Sequence, residues 1–148
     1  MSSANRIHAA GPFRHTEHKA NSALIYPGML IEIDANNEVA PHNISGGKGL
    51  ALIAAEDALQ GKNADTIYTD DTIVTCYQFP QGSEFYGLVA DEQDLAIGDP
   101  VMSNGAGLFI AVGDASGADA DAIIAYMMET GDLTGSNTSN TRFRMRAA

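Results

Sequence analysis

TIVTCYQF, residues 72–79, runs into PQGS at 80–83 and then EFYGLVA at 84–90, and this stretch decides the fold class. Ile73, Thr75, Tyr77 and Phe79 fall on one side of an extended chain, with Val74, Cys76 and Gln78 on the other, because successive strand side chains point to opposite faces. β-Branched and aromatic residues fill the run, and Pro80-Gln81-Gly82-Ser83 turns it towards its neighbour. Two paired strands are predicted here. Gly87, inside the second, predicts a bulge or a close backbone approach.

The same pattern recurs on both sides. PGMLIEIDANNEVAP, residues 27–41, predicts a hairpin turning at Asn36-Asn37. Met29, Ile31 and Ile33 form its dry face, Glu32 and Asp34 its wet one, and Pro41 marks a position near an edge. In LALIAAEDALQGK, residues 50–62, Leu50 to Ala55 reads as strand and Glu56 to Gln60 as a turn of helix stopped by Gly61. PVMS, the turn Asn104 to Gly107, and LFIAV give another hairpin. AIIAYMME, residues 122–129, fits a capped helix or a buried strand equally well. GDASGADAD and TGDLTGSNTSN read as loops, and TRFRMR as a last strand with Phe143 and Met145 on one face and three arginines on the other. About nine short strands at this spacing predict an all-β domain, a small β-barrel or β-clip-like unit.

Composition supports one domain. The chain has 148 residues, 15 glycines, no Trp and 7% aromatic residues, a mixture suited to many turns around a core of small aliphatic side chains. Its net charge of −11 argues against direct nucleic-acid binding, which needs clustered Lys and Arg. No apolar run is long enough to cross a membrane as a helix, and the N-terminus lacks the apolar core of a secretory signal, so a cytoplasmic site of synthesis is expected. The lone Cys76 has no disulfide partner and reads as a buried, inert thiol.

Charge is distributed unevenly. Residues 1–25 hold Arg6, Arg14 and Lys19 against Glu17, a net of +2, and Arg142, Arg144 and Arg146 follow near the other end. The segment between, Tyr26 to Thr141, sets Lys48 and Lys62 against eighteen carboxylates, a net of −16. Apart from Met1 and the Leu24-Ile25 pair that leads into the next segment, residues 1–25 contain only Ile7 and Phe13 as large apolar side chains, with a Gly11-Pro12 breaker and no periodicity. They are therefore expected to form an extended N-terminal arm, with residues 26–148 as the β domain. Fully extended, such an arm reaches on the order of 80 Å, enough to contact a neighbour. Arg6, Ile7, His8, Phe13, Arg14, His15 and His18 of the arm, with Arg142, Arg144 and Arg146, are the expected contact residues towards another subunit. Three arginines along one strand face also suit a charge-protected edge.

Motifs for chemistry are weak. His8, His15 and His18 sit on a segment without a scaffold, so no metal centre is expected of them. Asp91, Glu92 and Asp94, and likewise Asp114, Asp119 and Asp121, miss the spacing of a calcium loop. GGKG lacks the phosphate-loop spacing, and no GxSxG elbow or GxGxxG occurs. His42 is the one histidine outside the arm, at the predicted end of a hairpin. No cofactor, metal or enzymatic activity is expected.

At ALIYPGMLIEID, AAEDALQGKNADTIYTDDTIV and AIGDPVM the chain resembles the capsid decoration, or cement, proteins of tailed bacteriophages. The similarity is carried by a Tyr-Pro-Gly strand opening, a Glu-Asp-x-x-x-Gly-Lys turn and a Gly-Asp turn before a strand, and spans residues 23–146. The resemblance implies a structural virion protein on the outer capsid surface that cements neighbouring major capsid protein subunits and stabilises the expanded, DNA-filled head. It further implies a homotrimer, with a dimer also open, and no catalysis. A virion surface module binding a ligand or carbohydrate is the alternative.

Overall fold

The computed structural model describes residues 6–21, 24–112, 122–135 and 139–148. Strands account for 44% of the described residues and helix for 2%, and five of the strands close into a barrel. Thirteen short strands are formed among the described residues, more than the nine or so expected from sequence. In chain order they are β1 (His8–Ala10), β2 (Arg14–Lys19), β3 (Ile31–Ile33), β4 (Val39–Pro41), β5 (Leu52–Ala54), β6 (Ile73–Gln78) and β7 (Glu84–Val89). There follow β8 (Asp94–Leu95), β9 (Pro100–Ser103), β10 (Phe109–Ala111), β11 (Ala125–Met127), β12 (Gly131–Asp132) and β13 (Thr141–Ala147).

The predicted strand pair at 72–90 forms β6 and β7, but they do not pair with each other. After the turn at Pro80–Ser83 the chain leaves one sheet and enters another. β6 is the middle of a three-stranded sheet ordered β2-β6-β5, whereas β7 belongs to the barrel, ordered β7-β10-β9-β11-β13 and back to β7. The seam is long. β13 pairs with β7 antiparallel from Thr141↔Val89 to Arg146↔Glu84, and β11 pairs with the other edge of β13 at Ala125↔Ala147 to Met127↔Met145. Within residues 122–129, Ala125–Met127 thus forms strand and not helix.

Gly87 shows why a glycine stands in β7. The β7–β13 register runs through Gly87↔Phe143 without a bulge, and a Cβ on Gly87 would lie 2.7 Å from Met145 Sδ and 2.8 Å from Phe109 Cε2. Close approach, not a bulge, is the reason. The barrel interior holds Phe85, Phe109, Met127, Phe143 and Met145, all essentially excluded from solvent. A second core, with Ile25, Met29, Ile31, Val39, Val74 and Cys76, fills the space between the three-stranded sheet and the β3–β4 hairpin.

The expectation of a separate extended arm is overturned for residues 6–20. Ile7 is 0% exposed within the barrel-side core, β1 pairs with β7 at His8↔Phe85, and β2 pairs with β6 along all six residues. The division into residues 1–25 and 26–148 therefore does not hold where the chain is described. The reason is backbone pairing: β2 has only charged and polar side chains, yet β6 offers it a complete row of amide partners. Burial of Ile7 adds about 1.5–3 kcal/mol, and Glu56, itself 4% exposed, accepts the Ile7 amide at 2.9 Å.

Candidate functional site

The C-terminal arginines were expected together on one contact face, and the structure separates them. Arg142 is turned inward and 9% exposed. Its Nε donates to Pro27 O at 2.9 Å, one Nη to Asp65 Oδ1 at 3.1 Å, and the other Nη to Ala64 O. Charge-assisted bonds of this kind are the strong ones, and the planar guanidinium serves three acceptors at once. Arg142 thus acts as a clasp within the chain. It joins β13 to the Tyr26-Pro27-Gly28 turn and to the loop after Glu56. Gly28, at φ 98, adopts a backbone conformation that suits glycine, with its N–H donating to Ala54 O at 2.7 Å.

Arg144 is half-buried and already paired within its own chain. Its Nη2 donates to Glu84 Oε2 at 2.8 Å, and its backbone amide donates to Glu129 Oε1 at 3.2 Å. The Glu84 carboxylate, through that hydrogen bond and its charge, raises the Arg144 pKa further above its ordinary value. Arg146 is the exposed member of the set.

The N-terminal contact residues divide likewise. Arg6, Phe13, Arg14 and His15 are exposed, Ile7 is core, and His8 and His18 are half-buried. The histidines do not converge: His8 Nε2 lies 2.7 Å from Gly11 O, His18 Nδ1 lies 3.1 Å from Asn37 O, and His15 Nε2 is 3.8 Å from Glu17 Oε1. No group of three or more His, Cys, Asp or Glu suited to a metal ion occurs among the described residues. His8 and Phe13 pack with ring centroids 4.6 Å apart, Phe13 and Tyr77 at 4.4 Å, and Phe79 and Phe85 at 4.9 Å, a row of rings from surface to barrel.

Sequence reasoning passed over His42, whose Nδ1 lies 2.8 Å from Ser103 Oγ and whose Nε2 lies 3.1 Å from Lys48 O. A serine beside a histidine invites a catalytic reading, but Ser103 is 0% exposed and His42 3%. Because Lys48 O only accepts, Nε2 carries a proton, and Ser103 Oγ also accepts the Gly105 amide at 3.1 Å. The hydroxyl is left to donate to Nδ1. This pair ties loop to strand. Cys76 is 0% exposed and its thiol is pushed up to about 12 by burial, which makes it inert in the folded state. Asp114, Asp119 and Asp121 lie outside the described residues. Asp91 and Glu92 sit in a turn in which the Glu92 amide donates to Asp91 Oδ1 at 3.0 Å.

What sequence reasoning also missed are apolar side chains held outward at turns. Leu59, 86% exposed, sits in the 3₁₀ turn Ala58–Gln60. Asp57 caps that turn, Gly61 in the left-handed region ends it, and the Lys62 amide returns to Asp57 O at 3.0 Å. Ile97, 67% exposed, precedes Gly98 in a turn closed by the Ala96 amide on Asp99 Oδ2 at 2.8 Å. The available signal was position: each is a large apolar residue one or two places before a turn glycine, where no core face continues. Open clefts flank the fold, two of them beside residues already described. One of about 490 Å³ is lined by Tyr26, Asp65, Leu88 and Arg142, and one of about 260 Å³ by Ile31, Ile33, Leu50 and Leu52 beside His42. No protein-family model matches the chain, and no curated protein matches it.

Proposed function

We propose that this protein is a capsid decoration protein of a tailed bacteriophage, a structural virion component that binds the outer surface of the assembled head and cements neighbouring major capsid protein subunits. One observation carries the reading. Leu59 and Ile97 lie in two of the segments on which the resemblance rests, EDALQGK and AIGDPVM, and both are presented to solvent on hydrogen-bonded turns. A single exposed leucine is ordinary, but rigid presentation on the segments that carry the resemblance supports a contact role. Arg142 supports it further by clasping the Tyr-Pro-Gly turn and the loop after Glu56 to the barrel.

The mechanism differs from that of an arm ordering on contact. With β1 and β2 already paired, the domain offers a preformed surface, so little conformational entropy is lost on binding. Each contact is modest, and many copies on a symmetric lattice together favour the state of the shell that they bind. Purified protein added to expanded, DNA-filled heads and to unexpanded heads tests this. Binding to expanded heads, with DNA release shifted to higher temperature, is expected. Leu59→Asp with Ile97→Asp lowers occupancy without lowering the melting temperature of the free protein. Equal binding to both head forms, or to neither, overturns the proposal.

A further inference from the structure

The three-stranded sheet β2-β6-β5 ends in an open edge, and its geometry can be read closely. Ala20 N donates to Thr72 O at 2.8 Å in continuation of the Lys19↔Ile73 register, so the even-numbered residues of β2 turn their amides and carbonyls to β6. The opposite edge of β6 agrees, since the Ala55 amide bonds Thr75 O and the Phe79 amide bonds Ala51 O, leaving the even residues of β6 for β2. His15, Glu17 and Lys19 therefore direct their backbone N–H and C=O groups away from β6. Those of His15 and Glu17 meet no other strand among the described residues. From the Lys19 carbonyl onward the edge is closed: Ala20 forms a parallel bridge with Val39 in which the Asn21 amide bonds Val39 O, the pattern that also aims the Val39 amide at the Lys19 carbonyl.

We propose that β2 pairs with β2 of a second copy of this chain, antiparallel about a two-fold axis at Thr16, to make a continuous six-stranded sheet. Charge selects that register. With Thr16 opposite Thr16 of the second copy, each His15 faces a Glu17, a favourable cross-strand pair. A shift that centres the axis on Glu17 sets Glu17 against Glu17 and His15 against Lys19, like against like. A shift that centres it on His18 runs the pairing into the segment already taken by Val39.

In the proposed register Thr16 meets its copy in a pair without mutual backbone bonds, where side chains approach most closely. This inference does not depend on the capsid reading, and it assigns self-association to a two-fold and not a threefold arrangement.

Sedimentation of the full chain over a range of concentrations tests it. A reversible dimer is expected. Glu17→Lys alone, and His15→Glu alone, each place like charges opposite one another and weaken the dimer at least about tenfold, equivalent to about 1.4 kcal/mol. The double variant His15→Glu with Glu17→Lys restores attraction and recovers affinity to within about threefold of the wild type. Glu17→Pro removes an outward amide that β6 does not use, and is expected to leave a folded monomer. If that variant does not fold, the charge-swap set decides on its own. A chain that is monomeric throughout, a trimer, or a dimer indifferent to the charge swaps overturns the proposal.

Discussion

The two ends of the chain share a basic character, yet they occupy opposite structural positions. β13 has a partner on each edge, β7 and β11, and it buries Phe143 and Met145 in the barrel. β2 has a full partner on one edge only, β6, and its side chains are exposed or half-buried. Net charge does not separate them. What does is the number of paired edges: a strand paired on both sides is architecture, and one paired on a single side is surface. Ile7 complicates the contrast, because one fully buried isoleucine and one buried carboxylate anchor the N-terminal segment upstream of its exposed strand.

Removal of residues 141–148 is the most severe way to break the comparison. The barrel then lacks its seam, and loss of the cooperative unfolding transition is expected by circular dichroism and calorimetry. Removal of residues 1–19 instead takes away a peripheral strand and the Ile7 anchor, and a weakened but cooperative transition is expected. Ile7→Ala and Arg142→Met place one anchor from each end side by side. The first creates a cavity at a cost of about 3 kcal/mol; the second leaves Pro27 O and Ala64 O without their donor at about 2–3 kcal/mol. Chemical denaturation measures both, and a loss below about 0.5 kcal/mol for Arg142→Met would dismiss the clasp.

An alkaline titration sharpens the contrast at the sheet that β2 edges. Cys76 is pushed up to about 12 from 9.0 and Tyr68 up to about 12 from 10.0, both chiefly by burial. The folded state thus holds these protons more tightly than the unfolded chain. Their contribution to stability is complete below pH 9, begins to fall as Cys76 passes its unfolded value of 9.0 and then Tyr68 its value of 10.0, and is gone above about 12. Cys76→Ala is expected to flatten the first part of that decline, read as the denaturation midpoint against pH. The smallest effect belongs to Arg146→Gln: an exposed side chain at the end of the seam should change stability by less than about 0.5 kcal/mol.

Strands with a buried face were legible in the sequence. TIVTCYQF, EFYGLVA, the Asn36-Asn37 hairpin and the helical turn ended by Gly61 all occur where alternation and turn chemistry place them. Their partners were less so, since β6 and β7, adjacent in sequence, lie in different sheets. RHTEHK carries no alternation of apolar residues because its strand is held by backbone bonds to β6, and such bonds leave no compositional trace. Arg142 was read as an outward charge from its place opposite Phe143. Its acceptors are Pro27 and Ala64 carbonyls, backbone atoms 115 and 78 residues away that no local pattern reveals. Leu59 and Ile97 point outward because each sits in a tight turn along which no core face continues, which local composition does not reveal.

The position of the seam has a consequence for the order of events at the ribosome. β7 is complete at Val89, but its long antiparallel partner begins at Thr141 and ends at Ala147. At ordinary elongation rates of about 5–20 residues per second, about 3–12 seconds separate the two. During that interval the nascent chain holds an unclosed β7, guarded along part of one side by β1, which has already emerged. An unpaired strand edge is exposed to mispairing for that interval, whatever the equilibrium strength of the finished barrel.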